Sequence, residues 1–152
     1  MKARCGFTLV EILVVVTILG VLAAIVIPQF QSGTGQAQTS SLRSNLHAVR
    51  YQIELYKYHH TSLPAALGET GADFERRLTT KTDQTGAPGV QFGPYLERMP
   101  TNPFNRLDTV RIGDAAAGAN THGWRFDPST GEFQADDSHD RNRDGTPDHV
   151  KL

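Results

Sequence analysis

Glu11 is the residue whose position most calls for a chemical explanation, because it is the only charged side chain between Phe7 and Ile27. The rest of this run is apolar, apart from two threonines and one glycine. A carboxylate inside a membrane segment costs on the order of 2.5–3.5 kcal/mol on insertion scales. Buried charges need partners, so the position of Glu11 predicts a specific cation that pairs with it.

A short basic leader, residues 1–6, precedes the apolar run, and Gly6-Phe7 forms a candidate cleavage junction. Ordinary secretory signals are cut after their apolar stretch, whereas this junction lies before it. A cut here would leave the apolar segment on the mature chain and create an ammonium group on Phe7. Phe7 and Glu11 would lie about 6 Å apart along a helix. A neighbouring copy shifted by that distance would bring its ammonium group level with Glu11.

The apolar run itself predicts a membrane helix, since its length matches the roughly 30 Å of a bilayer's hydrocarbon core. The basic leader favours a cytoplasmic N-terminus, which places the following domain on the other side of the membrane. Two other interpretations stay open. The run is an anchor that is never processed, or Glu11 simply lies in the headgroup layer. A lipid-modified Cys5 is disfavoured, because such a cysteine normally follows its apolar region.

A second group of candidate ligands lies near the end of the chain. In a loop that begins at Asp140, oxygen-bearing side chains recur at positions 1, 3, 5 and 9. The sixth residue of this loop is Gly145, and the seventh would offer its backbone carbonyl oxygen. This spacing is typical of the first half of a calcium loop, since a hard cation prefers six to eight oxygens. Position 12 is Lys151, which excludes a full EF-hand. The predicted calcium ligands are Asp140, Asn142, Asp144, Thr146 and Asp148.

Acidic residues just before this loop, Asp136 and Asp137, are candidates for completing the calcium site. The alternative is a solvated acidic tail that binds nothing. His59 and His60 do not predict a second metal site, because neighbouring positions on a helix diverge by about 100°. We therefore expect both histidines to be solvated at a helix end.

The soluble part of the chain predicts an α+β fold, in which a long N-terminal helix packs on a small antiparallel sheet. Helical spacing of apolar residues continues to about residue 60 and then ends before Pro64. A short helix is expected over residues 71–79, because Thr70 and Asp73 have the spacing of a capping box. Strands are expected over residues 107–112, around Trp124, and over residues 132–135. The apolar stripe of the long helix is Leu42, Leu46, Val49, Ile53 and Tyr56.

Composition excludes several function classes. A formal net charge of −1 argues against nucleic acid as a partner. The sequence has no nucleophile and base at recognisable spacing, no glycine loop for phosphate and no His/Cys cluster, so we expect no enzymatic activity. Cys5 is the single cysteine, which excludes an internal disulfide from the mature domain.

The string from Gly6 to Glu11, followed by an aliphatic run, resembles the processing signature of type IV pilins and type II secretion pseudopilins. The resemblance implies cleavage between Gly6 and Phe7 by a prepilin peptidase, methylation of Phe7, and packing of the apolar helices into a filament core. It also implies a calcium site in the C-terminal loop. Many type IV pilins carry a C-terminal disulfide loop. Because this chain cannot form one, the resemblance favours the pseudopilin branch.

The resemblance divides the chain into a leader (1–6), a transmembrane and filament-core helix (7–28), and a periplasmic globular domain (29–152). In that domain the helix runs to about residue 60, a linking region to about 106, and the sheet with the acidic loop to 152. The implied function is a structural subunit of a periplasmic pseudopilus, held in the bacterial inner membrane by one span before assembly. The implied partners are membrane lipid, prepilin peptidase, minor pseudopilins, the inner-membrane assembly platform and further copies of the chain. A type IV pilus pilin and a membrane-anchored calcium-binding module that never polymerises are the alternatives.

Overall fold

The computed structural model describes residues 7–140 and 147–152. One long helix, α1 (Leu9–His60), is followed by a short helix, α2 (Gly71–Thr79). Three strands come next, β1 (Val110–Ile112), β2 (Trp124–Asp127) and β3 (Glu132–Ala135), and then a 3₁₀ turn over Asp148–Lys151. By its contacts the chain divides into two compact units, Met1–Ala37 and Gln38–Leu152. The α+β class and the long N-terminal helix are confirmed.

The predicted helices end where the sequence indicated. α1 ends at His60, shortly before the Leu63-Pro64 pair that disfavours helical dihedrals. The capping box of α2 is complete, because Thr70 accepts a hydrogen bond from the Asp73 N–H and Asp73 accepts one from the Thr70 N–H. Local sequence chemistry therefore sets both of these boundaries.

The core of the second unit lies between the C-terminal half of α1, α2 and one face of the sheet. All five residues of the predicted helical stripe are buried, and Trp124, Phe126 and Phe133 of the sheet are at most 1% exposed. Tyr95 and Met99 from the linking region are also buried, while Leu96 and Phe104 are partly buried against the core. The remaining members of this core are Ala65, Phe74, Leu78, Val110 and Ala135.

The sheet is mixed, so the prediction of a purely antiparallel sheet was wrong. β2 and β3 form the expected antiparallel hairpin, with Phe126 opposite Phe133. β1, however, runs parallel to β2. A parallel neighbour requires a connection that returns the chain to the starting end of the strand. Residues 113–123 provide this return.

Both outer edges of this sheet meet other parts of the domain. Thr109 O accepts hydrogen bonds from the N–H groups of Gly123 and Trp124, and carbonyl directions alternate along a strand. Val110 O therefore faces the opposite edge, where the backbone of Gly71 lies so close that an added Cβ would overlap it. At the other edge, Phe133 O accepts a hydrogen bond from Arg50 Nε at 3.0 Å.

The C-terminal residues are fastened to the domain without a disulfide. Arg50 Nη1 donates to the carbonyl oxygen of Leu152 at 2.7 Å, and the Leu152 side chain packs against the core. Burial lowers the pKa of Arg50, and nearby Glu132 opposes this shift. A single α1 arginine thus joins the long helix, β3 and the end of the chain.

Candidate functional site

Glu11 lies in the first turn of α1. Its N–H donates to Thr8 Oγ1 at 3.2 Å, so the Thr8 hydroxyl satisfies one of the unpaired N–H groups at the helix start. Gly6 lies outside the described residues, and Phe7 is 75% exposed. The cleavage junction and the assembly role of Glu11 stay predictions.

The apolar side chains around Glu11 have no cover in the single chain. Every residue from Phe7 to Ile25 is exposed, and Leu9 reaches 83%. An exposed apolar surface of this extent is typical of a segment that contacts lipid or another protein. Across the residues that the structure describes, no helix meets both the length and the hydropathy needed for a membrane span. The transmembrane segment therefore stays a prediction.

The predicted calcium loop is only partly described. Asp140 and Asp148 belong to the described residues, whereas Asn142, Asp144 and Thr146 lie outside them. The Asp148 N–H donates to His139 O at 2.8 Å, which holds the two ends of the loop side by side. A loop closed at its base suits ligands that must surround one ion, and its oxygen donors fit calcium. In the described part of the chain, no group of three or more His, Cys, Asp or Glu side chains is placed to hold a metal.

Asp136, expected as a further calcium ligand, is fully buried and already engaged. Its Oδ1 accepts from Arg111 Nη2 at 2.7 Å, and its Oδ2 accepts from Arg111 Nε at 3.1 Å. Oδ1 also accepts the N–H groups of Gly118 and Ala119. Asp136 thereby holds the return loop between β1 and β2, which leaves it poorly placed to serve an ion.

Asp137, the other expected contributor, is also buried and engaged. Its Oδ1 lies 2.7 Å from His149 Nδ1 and accepts the His139 N–H at 3.2 Å, while Oδ2 accepts from Asn102 Nδ2 at 3.0 Å. Burial alone would raise the pKa of Asp137. The hydrogen bonds from His149 and Asn102 outweigh burial, so the pKa lies below its ordinary value.

The two adjacent histidines are not solvated, and that expectation was wrong. His60 is 3% exposed, and His59 is partly buried. His60 Nδ1 donates to Gln84 O at 3.2 Å, because a carbonyl oxygen can only accept, and Nε2 lies 3.0 Å from Tyr95 Oη. His59 Nδ1 lies 3.0 Å from the same hydroxyl oxygen. The histidines diverge along the helix, but the linking region folds Tyr95 in between them.

Residues 1–27 match the family model of the prokaryotic N-terminal methylation motif. The type II secretion system core protein G of Pseudomonas aeruginosa is 31% identical over 103 residues, which cover 68% of this chain and 70% of that protein. This chain belongs to the type II secretion major pseudopilin family. The core protein G of Dickeya chrysanthemi is 34% identical over 103 residues, covering 68% of this chain and 65% of that protein.

A shorter similarity connects this pseudopilin to a pilus protein. A fimbrial protein of Pseudomonas aeruginosa is 46% identical over 54 residues, which cover 36% of this chain and 35% of that protein. No solved structure matches the chain significantly. The family assignment therefore rests on the longer matches to core protein G.

Sequence reasoning missed the residues that hold the pseudopilin's tail. Arg50 lies on α1 outside the predicted apolar stripe and bonds to Phe133 O and Leu152 O. Asn102 is fully buried and bonds to Asp137, as does His149. Their hydrogen bonds join residues far apart in the chain, and no local pattern signals such contacts.

Proposed function

We propose that this pseudopilin is the major structural subunit of a periplasmic type II secretion pseudopilus and has no catalytic role. The proposal is carried by the unbroken apolar surface from Phe7 to Ile25, which holds one carboxylate, Glu11, in its first turn. Packing of such helices against one another would bury this surface in a filament core. The core protein G relatives, which carry the name of a secretion system, support export as the purpose.

The proposed maturation follows from the same segment. Prepilin peptidase would cut between Gly6 and Phe7 and methylate the new amine, as the match to the methylation motif supports. Before assembly the helix would anchor the subunit in the inner membrane, with residues 29–152 in the periplasm. Assembly would involve the inner-membrane platform and minor pseudopilins.

Glu11 would set the axial register of each incoming subunit. In the filament core, its carboxylate would pair with the Phe7 ammonium group of a neighbour displaced by about 6 Å. Removing one partner of a desolvated ion pair typically costs about 3–5 kcal/mol. That amount per subunit is large enough to stop polymer growth.

The change that tests this proposal is Glu11→Leu in a cell that carries the complete secretion system. We expect loss of crosslinked multimers and of exoprotein release, because the register pair is gone while the helix stays apolar. The matched control is Thr17→Leu, which removes a polar group from the same helix. The Thr17 hydroxyl donates to Val14 O, one turn earlier in its own helix, so multimers should persist.

Normal multimers and normal release in the Glu11→Leu strain would overturn the register role. Mass spectrometry of the mature wild-type subunit should show Phe7 as the first residue, with a methylated amine. An intact residue 1 would contradict the proposed maturation.

A second candidate, a type IV pilus pilin, is favoured by the match to the fimbrial protein. That match covers only about a third of either chain. Shearing distinguishes the two candidates, since surface pili are released into the medium and a periplasmic filament is not. A third possibility, a calcium-binding module that stays monomeric, predicts no effect of Glu11→Leu on secretion.

We further propose that the loop from Asp140 to Asp148 binds calcium, with Asn142, Asp144 and Thr146 as the other ligands. The supporting observation is the hydrogen bond from the Asp148 N–H to His139 O, which closes the base of the loop. An ion that binds only the folded chain adds RT ln(1+[L]/Kd) to stability, about 2.7 kcal/mol at a hundredfold excess over Kd.

For a domain of this size, such a gain corresponds to a rise in melting temperature on the order of 10 °C. The measurement is thermal unfolding in excess calcium and in chelator. Asp144→Asn should reduce the difference between the two conditions, whereas Asp108→Asn, at an exposed position in the chain before β1, should not. Equal melting temperatures for the wild type in calcium and in chelator would rule the site out.

A further inference from the structure

The ring of His60 is fastened to three points of the linking region. Its Nδ1 donates to Gln84 O at 3.2 Å, and its Nε2 lies 3.0 Å from Tyr95 Oη and 3.2 Å from Thr82 Oγ1. His60 is 3% exposed and Thr82 is fully buried, so these contacts are shielded from water. One imidazole ring therefore holds the end of α1 and residues 82–95 together.

The Tyr95 hydroxyl joins His60 to the neighbouring histidine. Its oxygen lies 3.0 Å from His60 Nε2 and 3.0 Å from His59 Nδ1. A hydroxyl has one proton to donate and two lone pairs that accept, so Tyr95 can donate to one ring while it accepts from the other. The direction of these two hydrogen bonds can reverse without movement of any heavy atom.

The number of protons on the two rings decides whether these contacts survive. With both rings neutral, one arrangement satisfies all three groups, in which Tyr95 donates to His60 Nε2 and accepts from His59 Nδ1. One added proton keeps both contacts, because a charged His60 donates to Tyr95, which then donates to His59. With both rings charged, both nitrogens donate to one oxygen, and neither ring can accept the Tyr95 proton.

Ionisable groups on three elements surround the pair of histidines. In the linking region, Asp83 attracts a positive charge on His60, which adds to the lowering of the Asp83 pKa that hydrogen bonds from Thr85 chiefly cause. Asp83 can offset one added charge on the rings, whereas a second added charge also meets the repulsion of the first. The other ionisable groups lie on α1, before α2 and on α2, and they are Tyr56, the ion pair of Lys57 with Glu54, Glu69, Arg76 and Arg77.

We propose that His59, Tyr95 and His60 form a proton latch on the linking region. The latch holds residues 82–95 to α1 while the two rings carry at most one added proton, and it releases them when both rings are charged. Histidine suits this role because its ordinary charge change falls between pH 5 and 8. The latch acts within one domain and does not depend on filament assembly.

The experiment follows ring charge and loop attachment in the processed full-length chain in detergent, from pH 8 to pH 4. Nuclear magnetic resonance of the imidazole nitrogens reports the charge of each ring. Hydrogen exchange of the Thr82 and Phe92 amides, corrected for its intrinsic pH dependence, reports attachment, because each amide donates to the other residue's carbonyl oxygen at 3.0 Å. The Trp124 amide, which donates to Thr109 O, reports whether the sheet is intact.

We expect the Thr82 and Phe92 amides to stay protected when the first proton is added. Their protection should fall about tenfold or more with the second proton, since a buried donor then loses its partner. The Trp124 amide should stay protected throughout.

His59→Gln tests whether the second proton causes the release. Glutamine can still donate to Tyr95 or accept from it but takes up no proton, so the Thr82 and Phe92 amides should stay protected to pH 4. The matched control is His47→Gln, at an exposed position of the same helix, which should release the loop as the wild type does.

The wild-type titration alone can overturn the latch, even if His59→Gln does not fold. Loss of Thr82 and Phe92 protection with the first proton would overturn it, and so would full protection with both rings charged. The latch is also excluded if the second proton is not taken up above pH 4, or is taken up only as Trp124 loses protection too. Release in a folded His59→Gln chain at the same pH as in the wild type would exclude it as well.

Discussion

At the scale of single residues, the hydrogen-bonded turn after β2 lowers the pKa of Asp127. Its Oδ1 accepts from Ser129 Oγ at 2.5 Å and from the Ser129 N–H at 2.9 Å, and its Oδ2 accepts from Arg125 Nη2 at 2.9 Å. Chiefly through Ser129, with a smaller contribution from Arg125, the pKa of Asp127 falls from its ordinary 3.8 to about 2. The folded chain therefore holds this carboxylate ionised at pH values where the unfolded chain has taken up a proton.

This difference predicts the sign of a pH dependence. The contribution of Asp127 to stability is fully present above about pH 4 and is lost as the pH falls toward 2. Urea unfolding of the wild type and of Asp127→Asn between pH 5 and pH 2 should give free energies of unfolding that converge at the acid end. Ser129→Ala, which removes the hydroxyl donor, should move the convergence to higher pH. A constant difference between wild type and Asp127→Asn across this range would contradict the assignment.

At the scale of elements, the start of α2 depends on the absence of a side chain at Gly71. Alanine in place of glycine normally favours a helix by about 0.5–1 kcal/mol. Here an added Cβ would overlap Val110 O at the edge of β1. Val110 O and the Cα of Gly71 both belong to the backbone, so rotating a side chain does not relieve the overlap. We expect Gly71→Ala to destabilise the domain by about 1–3 kcal/mol, the usual cost of overpacking, despite its better helix propensity.

The measurement for Gly71→Ala is chemical denaturation followed by circular dichroism. Gly20→Ala is the control, because an added Cβ there meets no atom within 4 Å. A Gly71→Ala variant as stable as the wild type would mean that α2 can shift away from β1 without loss.

The sequence predicted the helices and their buried stripe but not the direction of every strand. Helix bounds and the core stripe follow from local patterns, so Leu42 to Tyr56 and the capping box at Thr70 were predicted correctly. The parallel direction of β1 was missed, because the Arg111–Asp136 ion pair that holds the return loop joins residues 25 positions apart. For the same reason Tyr95, Asn102 and His149 gave no local sign of the buried networks that they complete.

At the scale of the whole molecule, the division into two compact units predicts that the second unit folds alone. Its core residues all lie between Leu42 and Ala135, within Gln38–Leu152. A fragment that begins at Gln38 should unfold cooperatively, with a melting temperature within a few degrees of the complete chain. Differential scanning calorimetry of both forms measures this. A fragment with no cooperative transition would show that residues before Gln38 are needed for folding.

The covered sheet edges restrict how copies of the molecule can join. The outward carbonyl of Val110 is met by the backbone of Gly71, and that of Phe133 is bound by Arg50. A neighbouring strand would have to displace these groups before it could hydrogen-bond to either edge, so the domain resists the cross-strand stacking that leads to amyloid. In the proposed filament, contacts between subunits would then be made by α1 and the loops rather than by strand pairing. A filament of that kind would assemble and disassemble without breaking any β-sheet hydrogen bond.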